Sequence, residues 1–353
     1  MCRSIAINKE ANKDTTPLGI AMNKNKNRMK LKTIYQLSIF LLAWALLLPG
    51  CTKEDRSDCL PSMVDIEMSF KLAVSTEAGN DIDLSDVNFL EVFLFHTETG
   101  LFYKSFQDEQ PQLADENYRM LISAAPGTYD ILAWGNTNSA DYAYAPTEFV
   151  ENVSTLAETS VWLQLQENTR TQTEINHSLT HLFYGQHLDC AIEPTDTVLE
   201  IPADIVQNTY TFNVHMTHRP VAGKPLSVVI DGDHNGYDFL NQKQSELNFI
   251  YRKETTPSGP ELKQQYAELR TLRLDNDSRV RFKVYSWEGE EMLNESLLEL
   301  LQNAATNGGF RLDLSKKHSF RMDLNFGETE ADISITIDGW SAFEEDSNLH
   351  PQS

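Results

Sequence analysis

The run Val64-Asp-Ile-Glu-Met-Ser-Phe-Lys-Leu72 decides the fold. Val64, Ile66, Met68, Phe70 and Leu72 fall on one side of an extended chain, and Asp65, Glu67, Ser69 and Lys71 on the other. Strand side chains alternate between faces, so the run reads as a strand with one face buried and one in water. The same period returns in 210–217, 280–284, 320–326 and 333–337. Further strands are expected at 87–95, 101–106, 118–122, 127–134, 160–165, 226–230 and 264–274. Thr99-Gly100, Pro126-Gly127, Asp231-Gly232 and Asn235-Gly236 supply turn residues among them.

Many short strands set off by turns predict an all-β fold, built as two tandem antiparallel β-sandwich domains with little helix. The first sandwich is expected over 63–203 and the second over 204–340, with the crossing near 202–208. One helix is expected at 294–307, capped by Asn294 and stopped by Asn307-Gly308-Gly309. A short helical turn is expected at 178–183. The chain from Gly339 reads as a frayed acidic tail, with 341–353 beyond the second sandwich.

Upstream of Val64 the chain changes character. Residues 1–50 hold eight basic side chains and two acids, whereas the whole chain of 353 residues carries a net charge of −23. The part from Cys51 onward therefore carries about −29. A basic stretch at 23–32 precedes an apolar run at 37–48, too short to span a bilayer and suited to a signal peptide over 1–50. Met22 and Met29 are alternative starts. The run ends Leu48-Pro49-Gly50-Cys51, which resembles a bacterial lipobox with Cys51 as the acylated residue. Two or more acyl chains anchor a protein firmly where one does not. Residues 51–62 lack apolar periodicity and read as a tether. Within it Lys53, Glu54 and Asp55 resemble the surface-export signal of Bacteroidetes lipoproteins.

Such acidity argues against nucleic acid as a partner, because phosphate binding needs Lys- and Arg-rich surface. Four cysteines are too few for a disulfide scaffold. Cys59 and Cys190 are either a bridge between tether and first domain or two separate thiols. No nucleophile elbow, zincin helix, phosphate loop or dinucleotide fingerprint occurs, so no catalytic residue or cofactor is expected. The stretch from Asp231 to Asp238 matches the first half of a calcium loop, but Gln242 stands where a bidentate Glu is required. A plain turn between strands is the better reading. His177, His181, His187 and Cys190 match no common zinc spacing, and no metal is assigned. Thr197, in Asp196-Thr197-Val198, resembles a Bacteroidetes O-glycosylation sequon. Trp134, Trp162, Trp287 and Trp340 read first as core packing and second as a sugar-stacking platform.

Several segments together carry a resemblance. They are the start at Cys51 with its Lys-Glu-Asp, Tyr129-Asp-Ile-Leu-Ala-Trp-Gly-Asn136, Leu182-Phe-Tyr-Gly185, Asn235-Gly-Tyr-Asp-Phe239, the helical segment near Leu297 and Ile335-Thr-Ile-Asp-Gly-Trp340. In this order they resemble the FimB-like fimbrial anchor lipoproteins of Bacteroidales, in the fimbrillin group of type V pili. The resemblance implies two transthyretin-like sandwiches and an outer-membrane, lipid-anchored protein at the cell surface. It also implies an anchor or assembly subunit that accepts a strand from a fimbrillin shaft subunit. The alternative function is a glycan-binding surface lipoprotein, which would need exposed aromatic rings on one face.

Overall fold

In the computed structural model the described residues are 63–72, 82–164, 173–193, 198–217, 223–244, 249–327 and 333–343. All fall within the unit Pro61–Ser353. The opening run becomes β1 (Val64–Leu72), with Val64, Ile66 and Met68 buried as the alternation requires. β1 is an internal strand. It runs parallel to β10 (Val198–Gln207), from Asp65 opposite Val198 to Leu72 opposite Ile205. On its other side it pairs antiparallel with β4 (Met120–Ala124). The sheet continues from β10 through β9 (Phe183–Ile192), β5 (Gly127–Gly135) and β2 (Leu90–His96) to β3 (Phe102–Asp108).

Ile66 and Met68 of β1 share one apolar cluster with Val92 and Leu94 of β2, four places away in the sheet. A flat sheet would hold those strands about 19 Å apart, so this sheet curls over its own core. The opposite face of β2 and β5 is buried too. Phe93, Phe95 and Trp134 pack there beneath a small sheet ordered β14 (Lys243–Gln244), β13 (Gly236–Asp238), β7 (Ser160–Leu163), β6 (Tyr142–Ala145). Burial on both sides explains why Leu90-Glu-Val-Phe-Leu-Phe95 is almost continuously apolar rather than alternating.

The second sandwich has a six-stranded sheet of β16 (Thr256–Ser258), β17 (Gln264–Leu272), β11 (Thr209–Thr217), β20 (Ser319–Phe326), β21 (Ile333–Ile337) and β22 (Trp340–Ser341). Its five-stranded sheet is ordered β19 (Glu291–Ser296), β18 (Arg281–Tyr285), β12 (Ser227–Asp231), β15 (Phe249–Glu254), β8 (Thr173–Ile175). Phe212, Met216, Phe320 and Leu324 from the first of these sheets join Ile230, Phe249, Phe282 and Val284 from the second in one core. The halves of the chain exchange strands. β8 leaves the first half to pair with β15, while β13 and β14 come from the second half to pair beside β7. Phe239, just beyond β13, accordingly sits 5.0 Å, ring to ring, from Phe93 of β2.

Three local expectations are corrected. Helix α1 spans Leu297–Asn307 and is capped by Ser296, whose side chain accepts from Glu299 N–H. Asn294 is still in β19, because the ladder with β18 runs on to Ser296, and its Oδ1 accepts from Arg281 Nε at 2.8 Å. No helical turn forms at 178–183. The Thr180 N–H is taken by the Asp141 carboxylate and the Leu182 carbonyl by Asn208 N–H, which holds the chain extended into β9. The chain after Gly339 does not fray at once: Trp340 and Ser341 form β22, and Ala342 is buried with its N–H on Ile335 O.

One residue separates β10 from β11. Asn208 is fully buried, and all of its polar groups are engaged. Its N–H donates to Leu182 O at 2.7 Å, and its carbonyl accepts from Arg273 N–H at 2.9 Å and Tyr237 Oη at 3.2 Å. Its side chain donates to Asn241 Oδ1 and accepts from Arg273 Nη1. Beside it, His181 Nδ1 accepts from Gln207 Nε2 at 3.1 Å and meets Thr209 Oγ1 at 2.9 Å. The amide N–H leaves no room for a proton on Nδ1. Burial, with Arg270 and His318 nearby, therefore holds the imidazole down to about 4, although Asp86 lies 3.7 Å from Nε2.

Asn208→Ala leaves the half-buried Asn241 and Arg273 short of partners, and should lower the unfolding free energy by about 2 kcal/mol in urea titrations. The His181 contribution has a definite sign. Its folded value lies below the unfolded one, so the contribution is full above pH 6.5 and is lost as pH falls toward 4. Between pH 7 and 4 the His181→Gln variant should lose on the order of 2 kcal/mol less stability than the parent, as read by denaturation at both pH values. Equal losses would show that His181 does not titrate on unfolding.

Candidate functional site

Cys51, Lys53, Glu54, Asp55, Cys59 and Thr197 lie outside the described residues. What is described is the fold they lead into. The described chain enters the fold at β1, whose two neighbouring places in the sheet are already filled by β10 and β4. Cys190 is buried on β9 opposite Tyr129, in the core that also holds Ile66 and Met68.

The 231–238 stretch links the end of β12 to β13. Its carboxylates are spent inside the protein. Asp231 meets Lys283 Nζ at 2.7 Å. Burial opposes ionisation of Asp233, but the hydrogen bond from His234 and the Lys243 ammonium at 3.5 Å outweigh it and hold its carboxyl well below the usual range. Asp238 Oδ1 accepts from the N–H groups of Leu240 and Gln242. His234 completes the link to the junction: its Nε2 is 3.0 Å from Tyr237 Oη, which donates to Asn208 O. These acids build a turn between sheets, and its chemistry is structural.

The four residues weighed for zinc have separate occupations. His177 Nε2 is 2.5 Å from Asp141 Oδ1, His181 is held as above, His187 Nδ1 donates to Pro202 O at 3.0 Å, and Cys190 is in the core. Among the described residues no group of three His, Cys, Asp or Glu side chains could hold a metal ion. A cavity of about 690 Å³ lies beside the junction and is lined by Tyr210, Arg273, Asp275, Arg311 and Asp313 among others. Within it Arg273 is committed to Asp275 and Asn208.

A surface that could take another chain is a sheet edge, where backbone N–H and C=O groups lack a neighbour. The long outermost strands are β3 and β4 of the curled sheet and β19 of the five-stranded sheet. β3 is covered at its start, where Phe102 exchanges hydrogen bonds with Ser154 O and Asn152 N–H, and extends from there to Asp108. β4 points Leu121 into solvent. The β22 edge is different: Asn303 and Asn307 of α1 donate to the carbonyls of Ala342, Ser341 and Phe343 and close it. Sequence reading did not find these edges, because order within a sheet depends on pairings far apart in the chain.

Among the described residues no helix is long and apolar enough to cross a membrane. No curated protein matches the chain at a significant level. Solved structures do resemble it. The fimbrial anchor protein Mfa2 from Porphyromonas gingivalis superposes with a TM-score of 0.63 at 18% identity, over 80% of this chain and 99% of that one. A candidate polysaccharide-binding protein from Bacteroides thetaiotaomicron gives 0.65 at 17% identity, over 81% and 99%. A candidate adhesin from Bacteroides ovatus gives 0.62 at 18% identity, over 80% and 96%. These likenesses carry the fold. The family follows from the sequence: the model for the fimbrillin-A associated anchor proteins Mfa1 and Mfa2 matches residues 56–345, and the chain belongs to that family.

Proposed function

We propose that the mature protein is a lipid-anchored base unit of a fimbrium, held on the outer face of the outer membrane through acylated Cys51. Lys53, Glu54 and Asp55 direct it to the surface, and a sheet edge accepts a strand from a fimbrillin shaft subunit. The observation that carries this reading is the place of β1. The family match begins at residue 56, five residues after the lipobox cysteine, and the chain then enters the fold as a strand paired on both sides. A pull on the lipid acts along β1. It loads the ladder to β10, from Asp65 to Leu72, in shear, so many hydrogen bonds resist together rather than one after another. An edge strand held on one side would present half that ladder. A Cys59–Cys190 bridge would fasten the tether to the same core a second time, and Thr197 would carry any glycan near the start of β10.

The acceptor edge is β3, β4 or β19, since β22 is closed by the helix. A fold with an apolar core and an acidic exterior suits this position. The charge keeps the exposed faces soluble and leaves backbone pairing, rather than charge attraction, to select the partner.

Two experiments test the reading. Cys51→Ala should abolish acyl labelling and release the protein from the membrane fraction, whereas replacing Lys53, Glu54 and Asp55 by Ala should keep the label but hide the protein from protease added to intact cells. Unchanged labelling of Cys51→Ala would overturn the anchor. Single cysteines at Gln107 on β3, Leu121 on β4 and Glu295 on β19 should differ in crosslinking to the shaft subunit in assembled fimbriae, with one edge trapped strongly. Equal absence of crosslinks at all three would overturn strand acceptance.

A further inference from the structure

Two aromatic rings stand in solvent on one side of the second sandwich. Phe310 follows the C-terminus of α1 and Trp340 opens β22, and each is 46% exposed. They flank Gly308: a methyl group placed there would lie 2.4 Å from Phe310 Cε1 and 3.1 Å from Trp340 Cδ1. Each ring follows a glycine in the left-handed region, Gly309 at φ +71° and Gly339 at φ +89°, with open space where a side chain would be. Neither ring is loosely held. Phe310 N–H donates to Ala305 O in the helix-ending turn, and Trp340 pairs with Ile337 across a tight hairpin. A residue in the Phe310 position ordinarily packs back on its helix, yet here the ring stays half in water.

We propose that Phe310 and Trp340 form a stacking platform for a neutral carbohydrate, distinct from the sheet edges that would take a fimbrial strand. Two observations select a sugar over a protein. The exposed part of the two rings amounts to about 200 Å², against about 800 Å² per partner in a stable protein interface. The backbone beside them is closed as well, because Asn303 and Asn307 occupy the carbonyls of Ser341, Ala342 and Phe343, so no strand can be added there. Rigid rings without an open ladder suit a ligand with a flat C–H face and hydroxyls around it. Asp338, in the hairpin that carries Trp340, is paired with Lys317 at 3.3 Å and adds a polar group close in the chain to that ring. The ligand is neutral because a mature chain near −29 repels polyanions. Trp287 is equally exposed, but Lys224 lies over its ring at 5.0 Å, which leaves Trp340 as the more open of these two exposed indoles among the described residues.

The processed, detergent-solubilised protein is run through native gels containing a neutral glucan, a mannan, a galactan or, for contrast, polygalacturonate. At least one neutral polymer should retard it, and Trp340→Ala and Phe310→Ala should each weaken that binding about tenfold or more, which is roughly 1.4 kcal/mol. Trp287→Ala should leave it unchanged, and Trp340→Tyr should restore most of it. Melting temperatures identify any variant that fails to fold, in which case Trp340→Tyr against Trp340→Gln decides. Retardation by none of the neutral polymers, or retardation indifferent to both rings, overturns the platform. So does loss of the shaft subunit from Trp340→Ala without any change in sugar binding. Fimbrial association is read separately, so the platform and the anchor can fail independently.

Discussion

The structure depends on the single residue between its two sandwiches. β10 is the strand beside β1, and β11 is a central strand of the next sheet, with only Asn208 between them. A one-residue connection cannot act as a flexible linker unless its polar groups can turn to water, and those of Asn208 cannot. It is buried, and Leu182, Tyr237, Asn241 and Arg273 hold its backbone and side chain together. Breaking any one of these contacts leaves a buried donor or acceptor unmatched, which costs about 1–3 kcal/mol. The exchanged strands act in the same sense. To separate the sandwiches, β8 would have to leave β15, and β13 would have to leave β7.

This gives the chain a continuous line of backbone pairing. It starts at β1, passes to β10, turns at Asn208 and continues in β11, which is flanked by β17 and β20. Under the proposed anchor role a load arriving at Cys51 crosses from one sandwich to the next without meeting a segment held by side chains alone. The shared apolar cluster around Phe93, Trp134, Tyr237 and Phe239 resists bending at the turn, since rotation there would expose rings that are now fully buried.

Much of the fold was legible in the sequence, and the limits have physical causes. β1, β18, β20 and β21 each have one face partly in water and β11 carries polar side chains on its less buried face, and their alternation shows them directly. β2 is buried on both faces, so it shows as an apolar run whose partners cannot be read. The start of α1 was misplaced by three residues because Asn294 is as good a cap as Ser296, and only the register with β18 decides between them. Strand exchange left no local mark at all: Thr173–Ile175 and Gly236–Asp238 are short, and their pairing partners lie far along the chain. The site residues divide in the same way. The stretches that resemble a lipobox and an export signal are contiguous in the chain and lie outside the described residues. The platform needs Phe310 and Trp340 brought to Gly308 from separate elements, and the sequence hint was only that each ring follows a glycine.

The position of β1 bears on the direction of assembly. A subunit that is to be extended by an added strand needs an unfilled place in a sheet. Here the place beside β10 is filled by β1, the first described strand, with Val64, Ile66 and Met68 already seated in the core. An incoming strand would have to displace a ladder eight residues long and expose those three side chains, at about 1.5–3 kcal/mol each, before gaining anything. Addition at an edge has no such cost. In the proposed role, then, the strand nearest the membrane is closed to exchange, and growth can proceed only from edges held farther along the chain. A base unit built in this way is joined to the fibre on one side and to the lipid on the other, and the two attachments do not compete for the same strand.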